Sequence, residues 1–287
     1  MKKKTIDMVC RKKLNEWLET LPTGLAKRVK PEVILTGGSI ASMLLGEDVN
    51  DYDVYIASRD VCAELARHYA GDRWQVFTSD DKTEHVQVDE KNDFIPFEVA
   101  SDQVYNYIKS TGFKKIEQEP DKKYQVAYVT SNAITLTDQI QIVTRFTGCA
   151  EEIHKNYDFV HATNYFTFES GVVTNLPAME SLLARELVYM GSRYPLCSII
   201  RTRKFIKRHW SINAAQYLKM ALQLNDLDLK NPVILKEQLI GVDSAYFTWF
   251  LDAYERDLKD DSKSIDTQYL CDLVDHIFNK YIEGMEE

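Results

Sequence analysis

VILTGGSIASMLLGEDVNDYDVYI occupies residues 33–56. Its first four residues are an apolar run that meets two glycines and a serine, which predicts a buried strand ending in a turn. SIASMLLGE predicts a short helix with Ser39 as its N-cap and Gly46 as its stop. DYDVYIAS then predicts a second strand that opens on two acids. Alternate residues of a strand point to the same face, so Asp51 and Asp53 project together and Tyr52 and Val54 project to the other side. Two carboxylates held this close repel one another unless a cation lies between them. Mg²⁺ suits the place, because it takes carboxylate oxygens together with substrate phosphates. The turn Gly37-Gly38-Ser39 stands at a helix start, where backbone N–H groups and the helix dipole favour phosphate oxygens.

Around this unit the chain alternates between strand-like and helix-like text. RDVCAELARHYAG predicts an amphipathic helix closed by Gly71. RWQVFT, HVQVDE and FIPFEVA read as strands or hairpin arms. SDQVYNYIKSTGF reads as a helix with a Ser/Asp cap. YQVAYVTSNAITLTDQIQIVTRF is rich in β-branched residues and predicts two strands with a turn near Leu136–Gln139. AEEIHKN predicts a brief helix, and YDFVHATNYFTFES a further strand. From about Leu176 every periodic segment is helical: PAMESLLARELVYMG, CSIIRTRKFIKRHW, NAAQYLKMALQLNDL, NPVILKEQLIGV, SAYFTWFLDAYERDL and DTQYLCDLVDHIFNKYIEG. The expected organisation is a mixed α/β domain over residues 1–175 and an all-helical domain over 176–287.

Composition narrows the function classes. The 287 residues are 45% hydrophobic and include 16 Tyr and 12 Phe, enough for a sizeable core. The formal net charge of −9 excludes non-specific coating of nucleic acid, because phosphate repels such a surface at long range. A local basic patch would still bind phosphate. The five cysteines form no CxxC pair, against both a disulfide framework and a zinc site, and a reducing cytoplasm is the simplest compartment. No apolar stretch approaches the length needed to cross a bilayer, so no membrane partner is expected. MKKKTIDMVCRKKLNEWL lacks the apolar region of a signal peptide. It reads as an amphipathic helix that docks Ile6, Val9, Leu14 and Leu18 on the core.

Gly37, Gly38 and Ser39, followed by eleven residues and then Asp51-Tyr52-Asp53, resemble the signature of the DNA polymerase β-type nucleotidyltransferase superfamily. The longer string looks most like the head of the poly(A) polymerase and CCA-adding branch, with phage-encoded sequences among its relatives. The resemblance is sharp over about 24 residues and diffuse over the first 170. Where that branch has Val-Arg-Asp after the glycines, this chain has Ser39, Ile40, Ala41 and Ser42. The resemblance implies an α+β fold, with a polymerase β palm-like mixed sheet followed by a helical domain. It implies transfer of an NMP from an NTP, ATP being favoured, to an acceptor hydroxyl, with release of pyrophosphate. It also implies two Mg²⁺ or Mn²⁺ ions. An RNA 3′ end is the favoured acceptor; a protein or small-molecule hydroxyl is the alternative, and a non-catalytic nucleotide- or RNA-binding relative is the rival class.

The superfamily commonly adds a third carboxylate on a neighbouring strand. In QIQIVTRF the polar residue at that place is Gln141, which binds Mg²⁺ weakly and cannot act as a base. NYDFVHATNYF offers Asp158 at the start of a later strand, and Asp158 is the preferred third acid. Asp93 and Glu98 are lesser candidates. Asp51, Asp53 and Asp158 are therefore the expected catalytic and metal-holding residues. His161 and Asn164 share the Asp158 segment, and Ser131 and Asn132 are within reach of a base or sugar if their turn faces the site. SIIRTRKFIKRHW is the densest positive segment and resembles the arginine-rich helix that follows the catalytic head in the same branch. On a helix, Arg201, Lys204 and Arg208 share one face and Arg203 and Lys207 adjoin it. With Gly37, Gly38 and Ser39, the residues Arg201, Arg203, Lys204 and Lys207 are the expected nucleotide-binding set.

Overall fold

The computed structural model describes residues 2–70, 74–78, 84–88, 119, 121–129, 133–239, 245–259 and 265–283. The elements in chain order begin with α1 (Lys3–Leu18), α2 (Thr23–Val29), β1 (Val33–Thr36), α3 (Gly38–Leu45), β2 (Tyr52–Ile56) and α4 (Arg59–Ala70). There follow β3 (Trp74–Thr78), β4 (Glu84–Val88), β5 (Val126–Val129), β6 (Ala133–Leu136), β7 (Ile140–Val143), α5 (Ala150–His154), β8 (Tyr165–Thr167) and β9 (Gly171–Val173). The rest is helical: α6 (Leu176–Ala184), α7 (Pro195–Ile206), α8 (Ala214–Asn225), α9 (Pro232–Gln238), α10 (Ala245–Asp257) and α11 (Thr267–Glu283). Among the described residues no helix is long and apolar enough to cross a membrane.

Seven strands form one sheet in the order β5-β6-β7-β2-β1-β8-β9. Within it β2 and β7 run parallel while the other neighbours are antiparallel. A parallel pair cannot be joined by a tight turn. The chain between β2 and β7 includes α4 and the separate β3–β4 hairpin, which packs on α4. The fold is thus α+β, a mixed sheet followed by helices.

Residue parity sets the two faces of the sheet. Tyr52, Val54 and Ile56 of β2 and Ile140 and Ile142 of β7 join Ile6, Cys10, Leu14 and Trp17 of α1 in the main core. These α1 residues recur at helical spacing, so one stripe covers the sheet. Burial of each such large side chain contributes about 1.5–3 kcal/mol. The intervening residues of β2 and β7 necessarily face the other way, and there the functional side chains gather.

The structure departs from the sequence reading in three described places. YQVAYVTSNAITLTDQIQIVTRF holds three strands, not two, because a run of β-branched residues masks the reversal that lets β5 pair antiparallel with β6. The turn after Leu136 is where expected, with Asp138 and Gln139 at positive φ. YDFVHATNYFTFES is not one strand: Asp158 lies in a bend, Val160–Ala162 form a 3₁₀ turn, and only Tyr165–Thr167 pair in the sheet. Thr163 Oγ1 donates to the Val160 carbonyl at 2.7 Å, and such local bonds compete with a strand ladder. Finally, the helix read through ELVYM ends earlier. Arg185 takes φ 48°, its N–H and that of Glu186 close on the Leu182 and Ser181 carbonyls, and the chain continues extended. No glycine marks this stop, so the sequence does not show it. The strand read over FIPFEVA, with Asp93 and Glu98, the helix over SDQVYNYIKSTGF, and Ser131 and Asn132 lie outside the described residues.

Candidate active site

The end of β1 is locked in place. Thr36 Oγ1 lies 2.8 Å from His154 Nε2 and donates to the Asn164 carbonyl at 3.0 Å. The Gly37 N–H donates to the Ala162 carbonyl at 3.1 Å. Gly37 itself has φ 88° and ψ −147°, a conformation that only glycine adopts readily. A Cβ built there would stand 3.0 Å from Asp53 Oδ2 and 3.5 Å from Tyr157 Oη. Glycine therefore serves two ends: the backbone turns sharply, and the acid of the next strand approaches it. Helix α3 starts immediately, with Gly37 as its N-cap and no side chain closing its first N–H groups. The expected cap, Ser39, lies inside the first turn, and its Oγ is buried without a partner.

The floor of the site is the sheet face opposite α1. Asp51, Asp53 and Tyr55 from the β2 segment and Gln141, Val143 and Arg145 from the β7 segment line one cavity of about 720 Å³. The parallel register sets Asp53 beside Gln141. The position next to Asp53 on the neighbouring strand thus carries an amide, whose Nε2 donates to Thr135 Oγ1 at 3.2 Å. Burial, and then the charge of Asp51, push the Asp53 carboxyl up to about 7, with Lys204 opposing them. Behind the acid, Tyr157 Oη donates to Tyr55 Oη at 3.2 Å, and burial raises both phenols.

A strained acid pair of this kind destabilises the fold that holds it. The folded state binds the Asp53 proton more tightly than the unfolded chain does, so the contribution is intact below about pH 4 and is lost as pH rises through about 7. Asp53→Asn is therefore expected to match the wild type in thermal midpoint near pH 4 and to exceed it at pH 8. The gain at pH 8 is bounded by about 4 kcal/mol for a shift of about three units, and water in an open cavity reduces it. Thermal unfolding of both proteins at the two pH values, without metal, is the measurement; a midpoint difference independent of pH would remove the strain.

The walls come from elsewhere in the chain. Arg201 and Lys204 on α7, and Arg208 just beyond it, face the cavity as the helical reading requires, while Arg203 and Lys207 are exposed and do not line it. Asp158 lines it as well, but its carboxylate is engaged: Arg201 Nη1 lies 2.7 Å from Oδ2 and Ser192 Oγ donates to Oδ1 at 2.9 Å. Glu47 likewise bridges Arg185, at 2.9 Å, and Arg208. His161 is packed among Phe159, Phe205 and Trp210, and burial, followed by Arg208 and Lys204, pushes its imidazole down to about 4. It is a neutral ring at ordinary pH. Asn164 is structural: its Oδ1 accepts from the Asn175 N–H at 3.0 Å.

Arg145, Arg193, Tyr194 and Tyr157 also reach this cavity. Arg145 lies in a bend just past the end of β7 and lines the cavity with Gln141 and Val143. Nothing local marks Tyr194 or Tyr157, which loops deliver. Five cations, Arg145, Arg193, Arg201, Lys204 and Arg208, thus surround three acids in a chain of net charge −9.

The donor set at Asp51 and Asp53 is all oxygen, which fits a hard divalent cation such as Mg²⁺ or Mn²⁺ and not zinc. Among the described residues no three His, Cys, Asp or Glu side chains converge as a metal-binding group. The two acids with Gln141 beside them fit one ion.

Residues 8–185, more than half of the chain, match the family described as Gabija anti-defense 2 family protein. No curated protein matches. Three solved structures illustrate the similar folds. The Bacillus stearothermophilus CCA-adding enzyme in complex with CTP is 13% identical, with 83% of this chain and 51% of that one covered and a TM-score of 0.40. The Thermotoga maritima CCA-adding enzyme complexed with tRNA is 10% identical, with coverages of 84% and 53% and a TM-score of 0.39. A tRNA nucleotidyltransferase complexed with a primer tRNA and an incoming ATP analog is 14% identical, with coverages of 83% and 62% and a TM-score of 0.37. The chain spans about half the length of the first structures it matches.

Proposed function

The chain belongs to the Gabija anti-defense 2 family, and we propose that it is a metal-dependent nucleotidyltransferase that moves an NMP from an NTP, with ATP as donor, to an acceptor hydroxyl. One observation carries this reading. Asp51 and Asp53 stand on one strand face against the Gly37 turn, under the cations of α7, in one cavity. A divalent cation held by Asp51 and Asp53 would neutralise charge at the transferred phosphoryl group and lower the pKa of the attacking hydroxyl. The chain's own residues do the positioning. Open N–H groups at the start of α3 take triphosphate oxygens. Lys204 and Arg208 offset the charge that builds on the departing pyrophosphate, as cations fixed beforehand on the cavity wall. Asp158 and Ser192 hold the Arg201 guanidinium on the cavity wall, so Asp158 is a positioning residue in this reading. The proposed catalytic domain, residues 1–175, is then incomplete alone, because the proposed helical domain, 176–287, supplies four of the five cations, Arg193, Arg201, Lys204 and Arg208.

The favoured acceptor is an RNA 3′ end, supported by the five cations around a cavity in an acidic chain. The family's description favours a second reading, in which the acceptor hydroxyl belongs to a component of Gabija defence. The test is transfer of label from each α-³²P-NTP, with Mg²⁺, into total RNA and into protein, including cells that carry the Gabija system. Label in RNA supports the first acceptor and label in protein the second. NTP binding without transfer to either would replace the enzyme reading with that of a nucleotide-binding protein.

A further inference from the structure

Residues 187–225 hold seven Lys and Arg side chains and no Asp or Glu, whereas the whole chain has 44 acids and a net charge of −9. The segment contains α7 and α8, which pack on one another, so the neighbouring helix brings no acid to α7 either. Five of its cations lie on the last turns of α7 and just beyond it, and helix geometry divides them into two rows. Arg201, Lys204 and Arg208 line the cavity. Arg203 and Lys207, four residues apart and so neighbours on the helix surface, are exposed and do not line it. Lys207 is the C-cap and keeps helical angles, φ −60° and ψ −23°. With 3.6 residues per turn, Lys204 lies about 60° around the helix from Lys207 and about 40° from Arg208, so the outer row meets the cavity row at Lys204. Ile206, beside Arg203 on its other flank, is 50% exposed. Arg201 is paired with Asp158 and Arg208 with Glu47, but among the described residues no carboxylate pairs with Arg203 or Lys207.

Such a surface attracts phosphate even though the chain as a whole is acidic. At about 0.1 M salt, charges beyond about 10 Å are largely screened, so a polyanion at α7 meets the acid-free segment and not the distant acids. The cations run around the helix from solvent to the lip of the cavity, which suits an extended strand better than a single small anion. We propose that the outer face of α7 is the docking surface for the acceptor strand. The phosphodiester backbone of a single-stranded RNA lies across Arg203 and Lys207, and its 3′ end turns into the cavity at Lys204. Two features call for an unpaired strand. The terminal nucleoside must leave the path of the strand to enter the cavity, which base pairing prevents. Ile206 also sets an apolar contact among the cations, which unpaired bases can take and a duplex backbone cannot. Phosphate contacts position a strand without reading its sequence, so the surface accepts RNA of any sequence. That the strand is RNA with its 3′ end in the cavity rests on the nucleotidyltransferase reading; that a phosphodiester strand binds α7 does not.

Fluorescence anisotropy over a salt series tests it, with a short unstructured RNA, the single-stranded DNA of the same sequence and the RNA in duplex form. The proteins are wild type, Arg203→Gln/Lys207→Gln, and Lys4→Gln/Lys27→Gln, which removes the same charge from exposed places on α1 and α2. Loss of two phosphate contacts lowers the slope of log K against log salt by about 1.4 and weakens single-stranded RNA binding roughly 25-fold at about 0.1 M salt. The α1–α2 variant keeps the wild-type slope, and NTP binding in Arg203→Gln/Lys207→Gln stays at the wild-type value, because neither residue lines the cavity. An unchanged slope in Arg203→Gln/Lys207→Gln, an equal loss in the α1–α2 variant, or tighter binding of the duplex or the DNA than of the single-stranded RNA would each overturn the proposal. Loss of protein labelling in Arg203→Gln/Lys207→Gln with RNA binding intact would overturn it too, in favour of an acidic protein on this face. RNA binding with the expected pattern but no label transfer would leave the docking surface standing and sink the transferase reading. Transfer to RNA with the same KM for RNA in wild type and Arg203→Gln/Lys207→Gln would do the reverse.

Discussion

Replacing Asp51 and Asp53 together by alanine is expected to lower nucleotidyl transfer by about 10³-fold or more, equivalent to about 4 kcal/mol or more of transition-state stabilisation. Both carboxylates leave the cavity, and Asp158, the acid that remains among its described lining residues, is already engaged by Arg201 and Ser192. A hard cation then has no anionic ligand on β2, and the phosphoryl charge is met by side chains alone. The fold should survive, because both acids lie on the cavity face and not among the side chains packed against α1. Removal of the buried, proton-hungry Asp53 should if anything raise the unfolding midpoint at neutral pH. The measurement is label transfer per mole of enzyme at saturating NTP, paired with thermal unfolding of the same preparation. Activity within tenfold of wild type in a folded variant would remove the acid pair from the chemistry.

Gly37→Ala should cost nearly as much by a different route. The φ of 88° with ψ −147° is a backbone conformation that costs an L-residue of the order of 1–3 kcal/mol. The new methyl would also stand 3.0 Å from Asp53 Oδ2, and Tyr157 closes the other side at 3.5 Å. Relief requires either the acid or the start of α3 to move, and a small displacement of groups that position a reacting phosphate lowers the rate by about 10²-fold. Gly38 provides the internal contrast, since a Cβ there meets nothing within 4 Å. Gly38→Ala should therefore fold with wild-type stability, while Gly37→Ala unfolds at lower denaturant and transfers about 10²-fold more slowly. Equal stability and equal rates in the two variants would show that the close approach of acid and turn is not needed.

The sequence alone carried the local part of this site. A buried strand, a glycine turn, a helix and a strand opening on two acids follow from residue order, because strand parity, helix capping and glycine's backbone freedom act within a few residues. The shared face of Arg201, Lys204 and Arg208 was legible for the same reason, as helical spacing is local. The N-terminal helix and the helical second half were legible from apolar periodicity. What misled the reading was alternation built from different elements: the segment around Asp158 mimics a strand, yet a bend and a 3₁₀ turn hold it through bonds to distant residues.

Tertiary structure decided the rest, because each remaining feature joins groups far apart in the chain. The parallel pairing of β2 with β7 put Gln141, not a third carboxylate, beside Asp53. The return of α7 brought Arg201 Nη1 to 2.7 Å from Asp158 Oδ2. The same return put Tyr194 Oη within hydrogen-bond reach of the Arg145 guanidinium, across 49 residues of chain. Spacing along a strand or helix is fixed by backbone geometry and can be read from residue order. The partner of a buried charge is fixed by which distant segment packs against it, and only the folded chain determines that.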